Sequence, residues 1–297
     1  MTRKSSPPLV GAHISIAGGT PQAFERGVVA GCVAMQIFTK NATRWEAPPL
    51  AREEADRFRA EQARTGIAPV VAHGSYLVNL ASPDPELLER SRKAFLEELL
   101  RAGTLGLPCV ITHPGAHMGA GVEAGLSRTA ASLDWLEEQV GAAAPRICLE
   151  NTAGAGTVLA GDFAHLGAIL GRVRNPGRIG VCIDSCHAHA AGYDLSNAAA
   201  YRKALEALDA AVGPGRVLAI HLNDAKGERG SRLDRHEHLG RGRLGLECFR
   251  LFMNDPRFAG VPKIIETPKE DGGREMDPVN LGVLRRLAGA KRVPRGL

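Results

Sequence analysis

The chain lacks a C-x-x-C pair. Its six cysteines, Cys32, Cys109, Cys148, Cys182, Cys186 and Cys248, are scattered, several of them inside apolar runs. That argues against a paired-thiol motif and predicts buried, reduced thiols. No uninterrupted apolar run is long enough to span a bilayer, and no charged-then-apolar leader opens the sequence. Membrane insertion and secretion are both unsignalled, so a cytoplasmic protein is expected, and the Asn41-Ala42-Thr43 sequon is without meaning. No Pro/Gly/Ser linker interrupts the middle, and no Ser, Gln or Gly tract, heptad run or internal repeat is present. With 297 residues, 44% of them hydrophobic, the chain reads as one large globular domain.

What is present begins with charge. The net charge of +5 is matched by Arg3 and Lys4 at one end and Lys291, Arg292 and Arg295 at the other, which leaves the body formally neutral. Residues 1–8 and 291–297 are therefore expected to be flexible basic tails around a domain spanning 9–290.

Within that domain, apolar β-branched runs recur at 9–15, 32–38, 68–74, 108–115, 146–152, 179–185, 216–224 and 263–267. Helix-like stretches lie between them, such as the one from Asp84, with acids early, Pro85 near its first turn and Gly106 near its stop. Eight buried strands alternating with eight helices predict an α/β fold, a single (β/α)8 TIM barrel, with functional groups at the C-terminal strand ends. "GRGRLG" at 240–245 follows a polar loop rather than an early strand, so it reads as a flexible loop entering a helix and not as a dinucleotide site.

Six of those strands end in His, Asp or Glu: His73, His113, Glu150, Asp184, His221 and Glu266. His187, Asp234 and His236 lie just beyond strand ends. Buried imidazoles and carboxylates are costly unless paired or metal-bound, so a ring of them at one barrel end calls for a common partner. Strand adjacency lets Glu150 bridge one metal held by His73 and His113 to a second held by Asp184, His221 and Glu266. His187, Asp234 and His236 make a third, more exposed site. His and carboxylate donors suit Zn²⁺, Mn²⁺ or Fe²⁺. His13, His117, His165, His189 and His238 are assigned to supporting, helical or surface places, and Asp224 to orienting a neighbouring imidazole.

The stretches "ICLENTAG" (147–154), "GVCIDSCHAHAAGYD" (180–194) and "HLNDAKGERGSRLDRHEHLGRG" (221–242), with "GAHIS", "FTKN", "HGSYLVNL" and "THPGAH", closely resemble the endonuclease IV family of apurinic/apyrimidinic endonucleases. The resemblance covers most of the chain outside the tails. It implies a three-zinc barrel whose ligands fall on the same nine positions. It also implies cleavage of DNA on the 5′ side of an abasic site, leaving a 3′-hydroxyl and a 5′-deoxyribose phosphate, with trimming of blocked 3′ ends. Glu150 is then the central catalytic position, the bridging ligand that positions a metal-bound hydroxide.

Duplex DNA with abasic sites or blocked 3′ ends is the implied partner, met by loops around the pocket rather than by the filled barrel. Asn41 and Arg44 from "TKNATRW" and Tyr76 and Leu77 from "HGSYLVNL" are the expected DNA contacts, the last two matching residues the family pushes into the base stack. Two departures stand out: Thr43 where the family often has an inserted arginine, and Gly74 where aspartate is common. A sugar isomerase or epimerase barrel and a non-catalytic DNA- or zinc-binding protein are the competing readings. The extra Asp234-x-His236 pair argues against the isomerase.

Overall fold

The computed structural model describes residues 7–141 and 144–297. Arg3 and Lys4 of the first basic tail lie outside the described residues. In the second, Val293 and Leu297 pack against the core.

Eight parallel strands close into a barrel: β1 (Val10–His13), β2 (Ala34–Phe38), β3 (Val70–His73), β4 (Cys109–Thr112), β5 (Arg146–Glu150), β6 (Ile179–Asp184), β7 (Val217–His221) and β8 (Lys263–Ile265). Closure is made by β8 against β1, with Val10 opposite Lys263 and Ala12 opposite Ile265. Each strand lies inside one of the eight expected runs, with shorter ends.

Helices α1 (Gln22–Ala30), α2 (Arg52–Thr65), α3 (Pro85–Leu105), α4 (Val122–Val140), α5 (Phe163–Leu170), α6 (Ser185–Ala191), α7 (Ala198–Val212), α8 (Leu246–Asn254) and α9 (Asp277–Leu287) complete the fold. The α3 boundaries follow from the chain itself: Asp84 accepts the N–H groups of Glu86 and Leu87, Pro85 occupies the first turn, and Gly106 ends the helix at φ 78°. Eight helices are expected and nine are found among the described residues. The addition is the seven-residue α6, which starts directly on Asp184 and stops at Gly192, φ 115°. No described helix is long and apolar enough to cross a membrane.

The period of two along each strand decides what the barrel mouth contains. Met35, Ile37, Val70, Ala72, Val110, Ile147, Leu149, Val181, Ile183 and Ile220 pack in the large core together with the helices. Their alternates Val71, Cys109, Ile111, Cys148, Cys182 and Ala219 form a separate small cluster, the filling of the barrel interior. All six cysteines are free and buried. Two residues beyond Val71, Ile111, Cys148, Cys182 and Ala219 stand His73, His113, Glu150, Asp184 and His221. Alternation therefore turns those five side chains inward, one layer above the apolar floor.

Candidate metal centre

The structure brings all nine expected residues together in three adjoining groups, the first two sharing Glu150. In the first, His73 Nε2 lies 3.1 Å from Glu150 Oε2 and His113 Nε2 lies 3.4 Å from the same oxygen. In the second, His221 Nδ1 stands 2.9 Å from Glu150 Oε1, 3.3 Å from Glu266 Oε2 and 3.9 Å from Asp184 Oδ2. In the third, His187 Nε2 and His236 Nε2 lie 3.2 and 3.4 Å from Asp234 Oδ1. Each group has its ligand-type atoms close enough to hold one ion. Glu150 divides its two oxygens between the first and second groups, and His236 Nε2 approaches Asp184 Oδ2 at 3.7 Å, linking the third to the second.

Local structure sets the direction of the imidazoles. His73 Nδ1 lies 2.7 Å from the Gly74 carbonyl, His187 Nδ1 2.9 Å from that of Asn151, and His236 Nδ1 3.2 Å from that of Glu266. A carbonyl only accepts, so each Nδ1 carries the hydrogen and each Nε2 faces the carboxylates. The Asp184-x-x-His187 spacing has a further origin: Asp184 Oδ1 caps α6 by accepting the His187 N–H at 2.8 Å, which leaves Oδ2 for the cluster.

Burial works against charge throughout this pocket, and clustering overrides it. Glu150 is completely buried, yet His221, His113 and His187 hold its carboxyl well below the usual carboxylate range. Glu266 is held low against its burial mainly by His221 and His13. His187 and His221 are raised well above the ordinary imidazole value despite burial, by Asp184 and Asp234 for the first and by the charged Glu266 and Glu150 for the second. Carboxylates held charged in this way call for positive partners, either imidazolium protons or cations that displace them.

Divalent cations fit the donor set. His113 Nε2 and His236 Nε2 are buried and make no hydrogen bond, although each stands 3.4 Å from a carboxylate oxygen. Cys182 and Cys186 also come within reach of two groups. Burial pushes the Cys182 thiol up to about 12 and raises Cys186 as well, which favours the protonated sulfur over the ligating thiolate.

A second ring of polar groups has little signature in the sequence. Asn223 donates to Asp184 Oδ2 at 2.6 Å and accepts the Glu266 N–H at 2.7 Å, while Asn151 Oδ1 accepts the Asp184 N–H at 2.8 Å. Asp224 corrects an expectation. Its carboxylate orients no imidazole; it accepts the N–H groups of Ala225, Gly240, Gly242 and Leu244 at 2.9–3.1 Å. The "GRGRLG" segment is thus wrapped on a buried acid. Gly242 is required there, because a Cβ would lie 2.4 Å from Asp224 Oδ1.

The expected DNA contacts lie above this centre. Tyr76 is 68% exposed, with its ring 5.5 Å edge-on from Phe38; Leu77 is half-buried. Arg44 and Asn41 are exposed. Asn41 Oδ1 accepts the N–H and hydroxyl of Thr43 at 2.9 and 2.8 Å, so Thr43 is turned back into its own loop. Ser75 Oγ donates to the Ala42 carbonyl at 2.6 Å and ties the two loops together. The glycine at 74 also has a local cause: a Cβ there would meet Phe95 at 3.0 Å and Glu98 Oε2 at 3.2 Å, so an aspartate would be crowded and repelled.

Comparison with known proteins agrees with this geometry. Residues 24–287 match the family model described as xylose isomerase-like TIM barrel. The chain is 49% identical over 280 residues to "Probable endonuclease 4" of Chloroflexus aurantiacus, covering 94% of this chain and 98% of the relative. It superposes on the crystal structure of endonuclease IV from Thermus thermophilus with a TM-score of 0.82 at 37% identity, covering 94% and 98% of the two chains. A D-tagatose 3-epimerase-like protein shares the fold at a TM-score of 0.68 and 17% identity, covering 93% and 96%. Near-complete coverage at such identity, on a barrel whose mouth gathers the nine predicted residues, establishes that the chain belongs to the endonuclease IV family of xylose isomerase-like TIM barrels.

Proposed function

We propose that this protein is a metal-dependent DNA repair endonuclease that hydrolyses the phosphodiester 5′ to an abasic site, leaving a 3′-hydroxyl and a 5′-deoxyribose phosphate, and trims blocked 3′ ends. Three Zn²⁺ are the proposed cofactors: one held by His73, His113 and Glu150, one by Glu150, Asp184, His221 and Glu266, and one by His187, Asp234 and His236. Mn²⁺ or Fe²⁺ are alternatives. The observation that carries this reading is Glu150, whose two oxygens face two different imidazole groups within one pocket.

When bound, such cations supply positive charge to a phosphodiester and acidify water. The chain's own residues do the rest. Glu150 fixes the spacing of two groups, the carbonyls of Gly74, Asn151 and Glu266 keep three ring nitrogens aimed at the pocket, and Asp184 spans the deep and exposed groups. No side-chain nucleophile is needed. Tyr76 and Leu77 would enter the stack at the lesion, and Asn41 and Arg44 would meet the backbone beside it. Chromosomal DNA in the cytoplasm is the proposed setting.

The test is a duplex carrying one tetrahydrofuran abasic analogue, assayed beside a panel of ketoses, before and after chelation. Incision 5′ to the analogue, lost on chelation and restored by Zn²⁺, is the expected result. Ketose turnover without incision would assign the barrel to sugar chemistry instead.

A further inference from the structure

Gln36 lies on β2, a strand that supplies none of the nine clustered residues. Its neighbours Met35 and Ile37 belong to the outer core, so alternation turns Gln36 inward, where it is completely buried. Its amide nitrogen stands 2.6 Å from Glu266 Oε1 and 2.8 Å from His13 Nδ1. Its amide oxygen stands 2.7 Å from His221 Nε2.

These contacts admit one orientation. A carboxylate only accepts, so the –NH₂ end faces Glu266, with His13 Nδ1 beside both groups. The amide oxygen therefore faces His221, whose Nε2 must carry a hydrogen. Nδ1, the atom directed at Glu150, Glu266 and Asp184, is then the nitrogen that would offer its lone pair once a cation replaces the proton it shares with those carboxylates. His221 is thus reversed relative to His73, His187 and His236, which anchor Nδ1 on backbone carbonyls and present Nε2. No carbonyl sets its tautomer; a side chain does.

We propose that Gln36 is a positioning residue of the second metal group: it fixes His221 in the Nε2–H tautomer and, through the same amide, holds Glu266 beside it. One side chain thereby couples β2, β7 and β8 around a single cation. The proposal rests on the metal-centre reading above. It adds a determinant that specifically affects one of the three groups.

The test is Zn²⁺ binding to metal-free protein, titrated against a chromophoric chelator, with thermal melting of the same samples. Gln36→Met keeps length and bulk without donor or acceptor. It is expected to weaken one class of Zn²⁺ on the order of 10–100-fold, to leave the others within about threefold, and to leave the melting temperature of the metal-free protein nearly unchanged. Unchanged affinity in every class overturns the assignment. So does uniform weakening with a lowered melting temperature, which would make Gln36 a packing residue. Should Gln36→Met not fold, Gln36→Asn serves: one methylene shorter, it cannot span His221 and Glu266, and the same single-class loss is expected. Wild-type protein that takes up no Zn²⁺ would refute the metal centre itself, an outcome distinct from failure of the Gln36 assignment.

Discussion

Six of the nine clustered residues stand on, or one residue past, a barrel strand, and hydrogen bonds from neighbouring strands fix several of them. The side chains above the mouth, Asn41, Arg44 and Tyr76, stand on loops and are exposed. Under the proposed function the two regions meet different demands. Chemistry at a phosphate needs donor atoms placed to within a fraction of an ångström, which strand ends with a supporting ring of Gln36, Asn151 and Asn223 provide. Lesion recognition needs side chains that can enter a deformable duplex, and exposed loops tethered at Ser75 to Ala42 suit that task.

The contrast can be broken most forcefully at Glu150. Glu150→Gln preserves shape and removes the shared charge; cleavage is expected to fall well beyond the ~10–100-fold typical of residues that only orient a ligand. Abasic-duplex affinity should stay within about tenfold, because the loops proposed to supply it are untouched. Single-turnover cleavage and binding on the same variant check both halves.

The support beneath the second loop gives a pH prediction. Burial pushes Glu98 up to about 7, against the opposing pull of Lys40 and the Ser75 N–H. A folded-state value above the ordinary 4.5 means the neutral acid is favoured on folding, so its stabilisation is complete below 4.5 and is lost as pH rises through about 7. Denaturant unfolding of wild type and Glu98→Gln should diverge over that interval by up to about 3 kcal/mol, the variant gaining with pH. Parallel curves would remove Glu98 from the account.

Tyr76→Ala is expected to weaken binding to an abasic duplex by ~1–3 kcal/mol, the range for a lost base–aromatic contact, while leaving Zn²⁺ content unchanged. The smallest effect is at Arg44. Arg44→Ala should reduce abasic-duplex affinity a few-fold, and more than Arg3→Ala does, as a phosphate contact proposed beside the lesion positions the duplex directly. Equal changes would show that Arg44 does not stand in for the arginine absent at Thr43.

The same division explains what could be read from the sequence. Strand periodicity marks all eight barrel strands, and a His, Asp or Glu at the end of a β-branched run is a local signal, so six of the nine residues were legible one segment at a time, and His187, Asp234 and His236 as His or Asp just beyond such ends. Gln36 was not, because its partners His221 and Glu266 are 185 and 230 residues away and nothing beside it in the chain marks it as polar support. Asp224 misled for the opposite reason: nearness to His221 suggested orientation of that ring, whereas its partners lie mainly at 240–244, a loop that returns only in the folded barrel. The short α6 went unmarked because it begins where the strand-like run ends, Asp184 being both the last strand residue and the helix cap.

The most direct measurement is anomalous diffraction at the zinc edge from crystals of the Zn²⁺-loaded protein. Three peaks are predicted, two of them on opposite sides of the Glu150 carboxylate and the third among His187, Asp234 and His236. Anomalous density absent from these groups, or lying only at other side chains, would contradict the account.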